Sequence, residues 1–590
     1  MAPAAVAQEP APKPIERRLW FHLALALASF ATFALITYHL GKDVGFDLLN
    51  YHFYNGFALF TGAWQRNIIP AQTQSFFNPE ADVLTYLLIA YLPPAAAGMI
   101  MGGLQGLNFW FVFTVASYLI RFPKGAAYSW LQWPVWFACA ALALYSPAAV
   151  SEFGTYMQDL FTAIFVTAGV ALALAGLYAA DRPGRATLLM SLAGLSLGFA
   201  AGLKLTNVPF AVGAALCLLP TTVSKRGVLQ LLVSYVAVAA GFVAGAGYWS
   251  WNLWVRYRNP FFLSFNKVFK SPYAQAVNVN DPRFFPTTRS EKLFYPFYFR
   301  VNTPAFPLEL SIQDYSVALC YILFFIVLAV GAVRLVSWAT NRNHADMRLA
   351  PAQATSQRIG NTPWKRITDM VSDTAALSNP TQLTWRFAGF YAVSFVLWEI
   401  VFSNYRYLTP LILLSPVFIA SAVFWLVRER VVTSFITLVL FAAVALTSVH
   451  ADWGRTQDWG TSYFGVQAPA LQDPSHSMVL MNTGFIDAYL IPEFPHSVTF
   501  VRIESGDMRY YTPKFNAIMA QDIASHQGPM YMLTMQTPDM ASTTVMIAHA
   551  NQTLTPYNLQ IVPGSCQLIP ASIYAAPQYF CTVQHMPNKR

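Results

Sequence analysis

Apolar residues in this chain gather in long, nearly uninterrupted runs rather than in alternating or heptad patterns. The runs, at about 20–40, 94–120, 130–147, 159–180, 187–203, 206–220, 228–250, 315–337, 384–402, 408–427 and 432–449, predict roughly eleven helices. Several reach roughly 18 to 25 residues, the length that crosses a ~30 Å hydrocarbon core. A membrane barrel would instead show alternating segments of about 10 residues, and the sequence has none. Beyond about residue 450 the long runs stop. Short strand-like pieces replace them (SMVLMN, VTFVRI, PMYMLTM, LQIV and QYFCTV), with helix-like stretches between. The expected fold class is an all-α polytopic membrane domain followed by a C-terminal α/β domain. The expected divisions are an N-terminal tail at 1–19, a membrane domain at 20–449 and an α/β domain at 450–590.

The connecting segments differ in charge. One set is short and basic: Arg17/Arg18, Arg121/Lys124, Arg182/Arg185, Lys225/Arg226 and Arg428/Arg430. A longer stretch at about 338–383 adds Arg342, Arg348, Arg358, Lys365 and Arg366. The other set holds acids, aromatics and prolines. Basic loops stay in the cytoplasm, so the N-terminus is expected inside and, with an odd number of spans, the C-terminus outside. Three extracytoplasmic regions are then large: a first loop at about 42–93, a central loop at about 251–314, and the tail. The first loop is expected to carry two interfacial helices, near 47–60 and 81–91. No small-residue cleavage site follows the first apolar run, so that run reads as an uncleaved first helix.

Composition agrees with a membrane protein: 56% of the 590 residues are hydrophobic and only 11% are charged. The net charge of +9 is accounted for by basic cytoplasmic loops and does not require nucleic acid. Cys139, Cys217 and Cys320 fall inside apolar runs and read as packing residues. Cys566 and Cys581 lie in the tail, where an oxidising compartment favours a disulfide. No CxxC and no His/Cys cluster at zinc spacing is present. Walker, GxSxG and strand-borne GxGxxG motifs are also missing, so nucleotide and hydrolase readings lack support.

The chemistry begins in DVGFDLLNYHFYNGFALFTG, residues 43–62. A carboxylate at a membrane boundary needs water, a partner or a function. Asp47, Tyr51 and Tyr54 are spaced for one helical face, with Asn50 and His52 close by. The competing role is that of an interfacial helix whose acids face water.

The order D-L-x-x-Y-H at 47–52, then G-x-W at 62–64, resembles the GT-C superfamily of polytopic glycosyltransferases that use polyprenyl-phosphate sugars. It is similar to the branch of bacterial polyprenyl-phosphate-mannose-dependent mannosyltransferases. Further likenesses follow in order: SEFGTYMQDLF (151–161), GLKLTNVPF (202–210), RNPFFLSFNKVFKSPY (258–273) and SNYRYLTPL (403–411). The resemblance covers roughly the first 450 residues; the tail carries no motif.

That resemblance implies inverting transfer of a sugar from a polyprenyl-phosphate carrier to a lipid-linked or envelope glycan, on the periplasmic face of a bacterial inner membrane. It implies Asp47 as general base, with Asp43 as the alternative. A low-dielectric setting is expected to raise the Asp47 pKa. Arg406 and Lys204 are expected to hold the phosphate, Arg through its fork of donors. His52, Tyr51 and Tyr407 are expected near the acceptor or phosphate. Arg258 and Lys270 belong to a basic outward-facing loop suited to an anionic head group. Glu152 and Asp159 form a second acidic pair, for acceptor or for a divalent metal. The resemblance implies no metal or other cofactor. A transporter or flippase of lipid-linked sugars, or an envelope-glycan ligase or polymerase of another fold, are the alternatives. The first would place its ionisable residues near mid-membrane, and here they sit at span ends.

Overall fold

The computed structural model describes residues 19–122, 128–222, 224–277, 281–300, 308–348, 380–483, 486–573 and 576–587. The tail at 1–18, Lys124 and the basic stretch with Arg358, Lys365 and Arg366 lie outside the described residues.

Among the described residues, eight helices are long and apolar enough to cross a membrane. They are Leu19–Leu40, Pro94–Leu119, Asp159–Tyr178, Pro183–Leu203, Lys225–Tyr257, Ser316–Ser337, Tyr405–Leu426 and Arg430–Thr447. The other three expected runs take different forms. The run at 130–147 yields Gln132–Tyr145, 14 residues, which at about 1.5 Å per residue falls short of a hydrocarbon core. The run at 206–220 yields the 10-residue helix Val208–Cys217. The run at 384–402 lies in Pro380–Val401, which is long enough but carries Arg386 and Glu399.

Burial sorts the spans. Nearly all of Tyr405–Leu426 is buried, whereas Leu19–Leu40 and Lys225–Tyr257 are mostly open. The first is therefore the hub, touching Asp159–Tyr178, Gln132–Tyr145, Ser316–Arg348, Pro380–Val401 and Arg430–Thr447. The other two present Leu27, Val236 and Val243 outward, as lipid-facing helices do. Helices Pro183–Leu203 and Lys225–Tyr257 pack at glycine: a Cβ on Gly198 would lie 1.9 Å from the Val238 carbonyl oxygen.

Two short strands, β1 (Lys42–Asp43) and β2 (Arg455–Thr456), pair antiparallel and join the start of the first loop to the start of the tail. The tail then builds one mixed sheet from β3 (Met478–Met481), β4 (Thr499–Arg502), β5 (Met530–Met535), β6 (Leu559–Ile561), β7 (Gln567–Leu568) and β8 (Gln578–His585). The order is β4-β3-β5-β8-β6, with β7 also on β8. Strand β3 runs parallel to β4 and β5; β8 runs antiparallel to β5, β6 and β7. Strands β3 and β5 are buried on both faces, as their continuous apolar sequence requires. Cys566 and Cys581 are joined by a disulfide that ties the start of β7 to β8.

The first loop is where expectation and structure part. Its two helical segments form: a π-helical turn at Leu48–His52 runs into Phe53–Thr61, and Asp82–Tyr91 follows. They do not lie open on a membrane surface. Leu48, Leu49, Phe53 and Phe57 share one apolar core with Val479, Phe500 and Phe580 of the tail. The tail covers the loop's helices, and Asp43, Asp47 and Asp82 are buried. The lock is a buried arginine. Arg502 on β4 donates to the Pro70 carbonyl of the loop and to Thr483, and pairs with Asp487, with neither Arg502 nor Asp487 exposed. Burial pushes the Asp487 carboxyl up to about 6, although Arg502 opposes it.

Candidate functional site

Four chain breaks converge on one polar centre. Ser403, in the left-handed region at φ 53°, ends Pro380–Val401. The Asn404 side chain then accepts from the Arg406 backbone N–H at 3.0 Å and caps a tight turn at Tyr405–Leu408. Pro410 starts the hub helix directly after. Arg406 is thereby held on the first turn of the most buried helix. Lys204 is extended, between helix Pro183–Leu203 and the turn Leu205–Asn207. Asp159 opens helix Asp159–Tyr178 after Gln158, itself left-handed at φ 71°. Asp47 immediately precedes the π-helical turn, a geometry that recurs at functional sites.

Arg406 is the cation these elements share. Its Nη1 lies 2.8 Å from Asp47 Oδ2, and its Nε lies 3.3 Å from Asp159 Oδ2 and 3.7 Å from Glu309 Oε2. Lys204 Nζ lies 2.6 Å from Asp159 Oδ1 and donates to the Met157 carbonyl at 2.9 Å. Tyr51 donates to Asp47 Oδ2 at 3.0 Å. Arg406 Nη2 donates to the Tyr407 hydroxyl at 3.3 Å, and the guanidinium lies 5.1 Å from the Trp453 ring centroid. Arg406, Asp47 and Asp159 are buried, whereas the Glu309 side chain is partly open.

A second polar pair adjoins the first. His52 Nδ1 lies 2.6 Å from Asp82 Oδ1, and Gln158 Nε2 donates to the same oxygen at 3.4 Å and to Thr85 at 3.0 Å. Gly56 makes this possible: a Cβ there would lie 2.0 Å from the Asp82 carbonyl oxygen. The His52 and Tyr51 rings are 4.1 Å apart, centroid to centroid. Among the described residues, His52 Nε2, both amide atoms of Asn50 and Gln158 Oε1 are buried without a hydrogen-bond partner. Buried polar atoms in that condition are costly, and their clustering points to a bound partner or water.

The electrostatics correct one expectation. Burial pushes the Asp47 carboxyl up, but Arg406, His52, Lys204 and the Tyr51 hydroxyl together outweigh it and hold Asp47 below the usual carboxylate range. The raised carboxyl is Glu152: burial and the neighbouring Asp159 push it well above its ordinary value, against Lys204, Arg406 and the Leu160 N–H. Glu152 Oε2 accepts from that N–H at 2.7 Å.

The expected site residues divide accordingly. Asp47, Tyr51, His52, Glu152, Asp159, Lys204, Arg406 and Tyr407 come together. Asp43 lies nearby but is taken up by the backbone, accepting from Gly45 N at 2.8 Å and Tyr156 N at 3.0 Å. Arg258 and Lys270 sit exposed at either end of the central-loop segment, and neither shares an ion pair with the cluster among the described residues. Sequence reasoning missed Asp82, Gln158, Glu309 and Trp453. Asp82 opens a helix in the first loop, a position where an acid alone signals only a helix start.

A shallow cleft opens beside this centre, lined by Ser151, Glu152, Glu309, Asn404, Arg406 and Trp453 among others. No three His, Cys, Asp or Glu residues among those described are arranged to hold a metal ion. No family model matches the chain, and neither a curated protein nor a solved structure matches it.

Proposed function

We propose that this chain is an integral-membrane glycosyltransferase that moves a sugar from a polyprenyl-phosphate carrier to a lipid-linked or envelope glycan, on the periplasmic side of a bacterial inner membrane. About eleven segments would build its membrane half. The observation that carries the reading is the pairing of Arg406 with Asp47 at the buried head of the hub helix, with Lys204 beside them.

A lipid phosphodiester is an anion, and Arg406 and Lys204 are the cations suited to it. Asp47, Asp159 and Glu309 already share those two cations. A phosphate therefore enters by taking Arg406 away from a carboxylate. Once Arg406 turns to the phosphate, Asp47 loses the contact that lowers its basicity. Asp47 then accepts the proton of the acceptor hydroxyl as that oxygen bonds to the sugar C1. The C1–O bond to phosphate breaks on the opposite face, and the polyprenyl phosphate leaves with its added charge held by Arg406 and Lys204. His52, fixed by Asp82, lies next to this centre and suits a hydroxyl of the acceptor.

Titration of the detergent-solubilised protein with a short-chain polyprenyl phosphate tests the phosphate assignment. Arg406→Gln is expected to weaken binding tenfold or more, while Arg258→Gln leaves it unchanged. Equal binding by both variants would remove Arg406 from the phosphate site.

A further inference from the structure

The tail carries a second polar cluster, remote in sequence from the first loop. Strand β3 is flanked by β4 on one side and β5 on the other, all three parallel. The chain passes from β3 to β4 and then crosses to β5, so its direction of build reverses at β3. In parallel sheets the crevice beyond the strand ends at such a reversal is where ligands bind.

Asn482 directly follows β3 and is 5% exposed. Glu504 follows β4 by two residues, and helix Thr543–Leu554 brings His549 and Thr553 against them. Asn482 Nδ2 lies 3.5 Å from His549 Nδ1 and 3.3 Å from Thr553 Oγ1. His549 Nε2 lies 3.6 Å from Glu504 Oε1, and both side chains are about two-fifths exposed. His549 and Glu504 thus open to the outside, with Asn482 buried beside them. The floor of the cluster is rigid, because Arg502 of β4 fixes Thr483, the residue after Asn482.

Two buried atoms here lack partners among the described residues: Asn482 Oδ1 and Glu504 Oε2. Turning the Asn482 amide over would satisfy its oxygen and strand its nitrogen instead, so one end is left in either orientation. The Glu504 carboxylate requires a donor. A phosphate or carboxylate ligand is repelled by Glu504. An ammonium could serve Glu504 but only one orientation of Asn482. Hydroxyl groups both donate and accept, and serve every case.

We propose that Asn482, Glu504 and His549 form a binding site for a saccharide, taking two neighbouring hydroxyls of one neutral sugar ring. This site is separate from the Arg406 centre and does not depend on the transferase reading.

The full-length protein in detergent is titrated with methyl glycosides of glucose, galactose and mannose, and with ethanolamine and inorganic phosphate, using saturation-transfer NMR. At least one glycoside is expected to bind in the millimolar range, with its ring hydroxyl face nearest the protein. Glu504→Gln, which keeps shape, and Asn482→Ala are each expected to weaken binding about tenfold, the scale of one buried hydrogen bond to a charged or unpaired group. Asp47→Asn is expected to leave it unchanged. Melting temperatures of the variants confirm folding, and Glu504→Gln at the surface preserves it. The proposal is overturned if no glycoside binds, if ethanolamine or phosphate binds here instead, or if glycoside binding survives both tail substitutions. Binding lost in Asp47→Asn alone would overturn it too, by moving the sugar to the Arg406 centre.

Discussion

Arg406 and Asp47, 359 positions apart in the chain, meet at 2.8 Å between Nη1 and Oδ2. Each is buried, and each occupies the part of the other that the proposed chemistry needs. A guanidinium bound to a carboxylate is not free for phosphate, and a carboxylate bound to a guanidinium is a weak base. The pair thus describes a resting centre whose charges are mutually satisfied.

Arg406→Ala would leave Asp47 and Asp159 buried without their shared cation. Removing one partner of a buried pair costs about 3–5 kcal/mol. A clear fall in melting temperature in detergent is expected. Arg406→Lys is expected to fall too, because a single ammonium cannot reproduce separate Nη1 and Nε contacts. Unchanged melting for both variants would show that the acids find other partners.

The pH dependence follows from the direction of the Asp47 shift. Its folded-state carboxyl lies below the ordinary value of about 3.9. Its stabilising contribution is then fully present above that value and is lost as pH falls through the folded-state value. The melting difference between wild type and Asp47→Asn should stay level from pH 8 to pH 5 and shrink only below about pH 4. A difference that shrinks between pH 7 and pH 5 would place Asp47 above the ordinary range instead.

Gly56→Ala tests how the His52–Asp82 pair is held. A Cβ at Gly56 meets the Asp82 backbone, which has no soft side chain to move aside. Helix Asp82–Tyr91 must shift by about an ångström or more, drawing Asp82 off His52. Both stability and transfer are expected to drop. Gly62→Ala serves as the steric contrast: its Cβ would meet nothing, so its strain comes only from φ 75°. A Gly56→Ala variant as active as wild type would show that His52 does not need Asp82.

The helical membrane half was legible because long apolar runs leave few alternatives. The five strand-like pieces all became strands, because their alternating or continuous apolar character had one consistent reading. The two-residue β7 has exposed residues and gave no pattern to read. At the centre, Asp47 drew attention as an acid at a membrane boundary, and Lys204, Asp159 and Arg406 through the segments that carry the resemblance. Which acid meets which cation depends on how the hub helix sits against the loop, and that is tertiary information. The same limit explains the Asp47 shift. Burial was readable, but the number of cations around the carboxyl was not. It also explains the first-loop helices, whose covering is supplied by residues more than four hundred positions later.

Cleaving the Cys566–Cys581 bond releases a closed segment spanning 15 positions. The chain-entropy scale for such a loop is about 3 kcal/mol. The double variant Cys566→Ser/Cys581→Ser is expected to melt lower by on the order of 10 °C if the tail unfolds as one unit. The reductant dithiothreitol should lower wild type by the same amount and leave the double variant unmoved. An equal effect of reductant on both would assign the change to something other than this bond.

The most direct measurement is sugar transfer by the purified protein, with a panel of polyprenyl-phosphate sugars as donors and an envelope lipid extract as acceptor. Wild type should transfer sugar with at least one donor, and folded Asp47→Asn should fall by a factor of about 100 or more, the scale of a lost general base. Transfer that survives Asp47→Asn would contradict the assignment of the base. No transfer with any donor, together with movement of lipid-linked sugar across a proteoliposome membrane, would contradict the glycosyltransferase account as a whole.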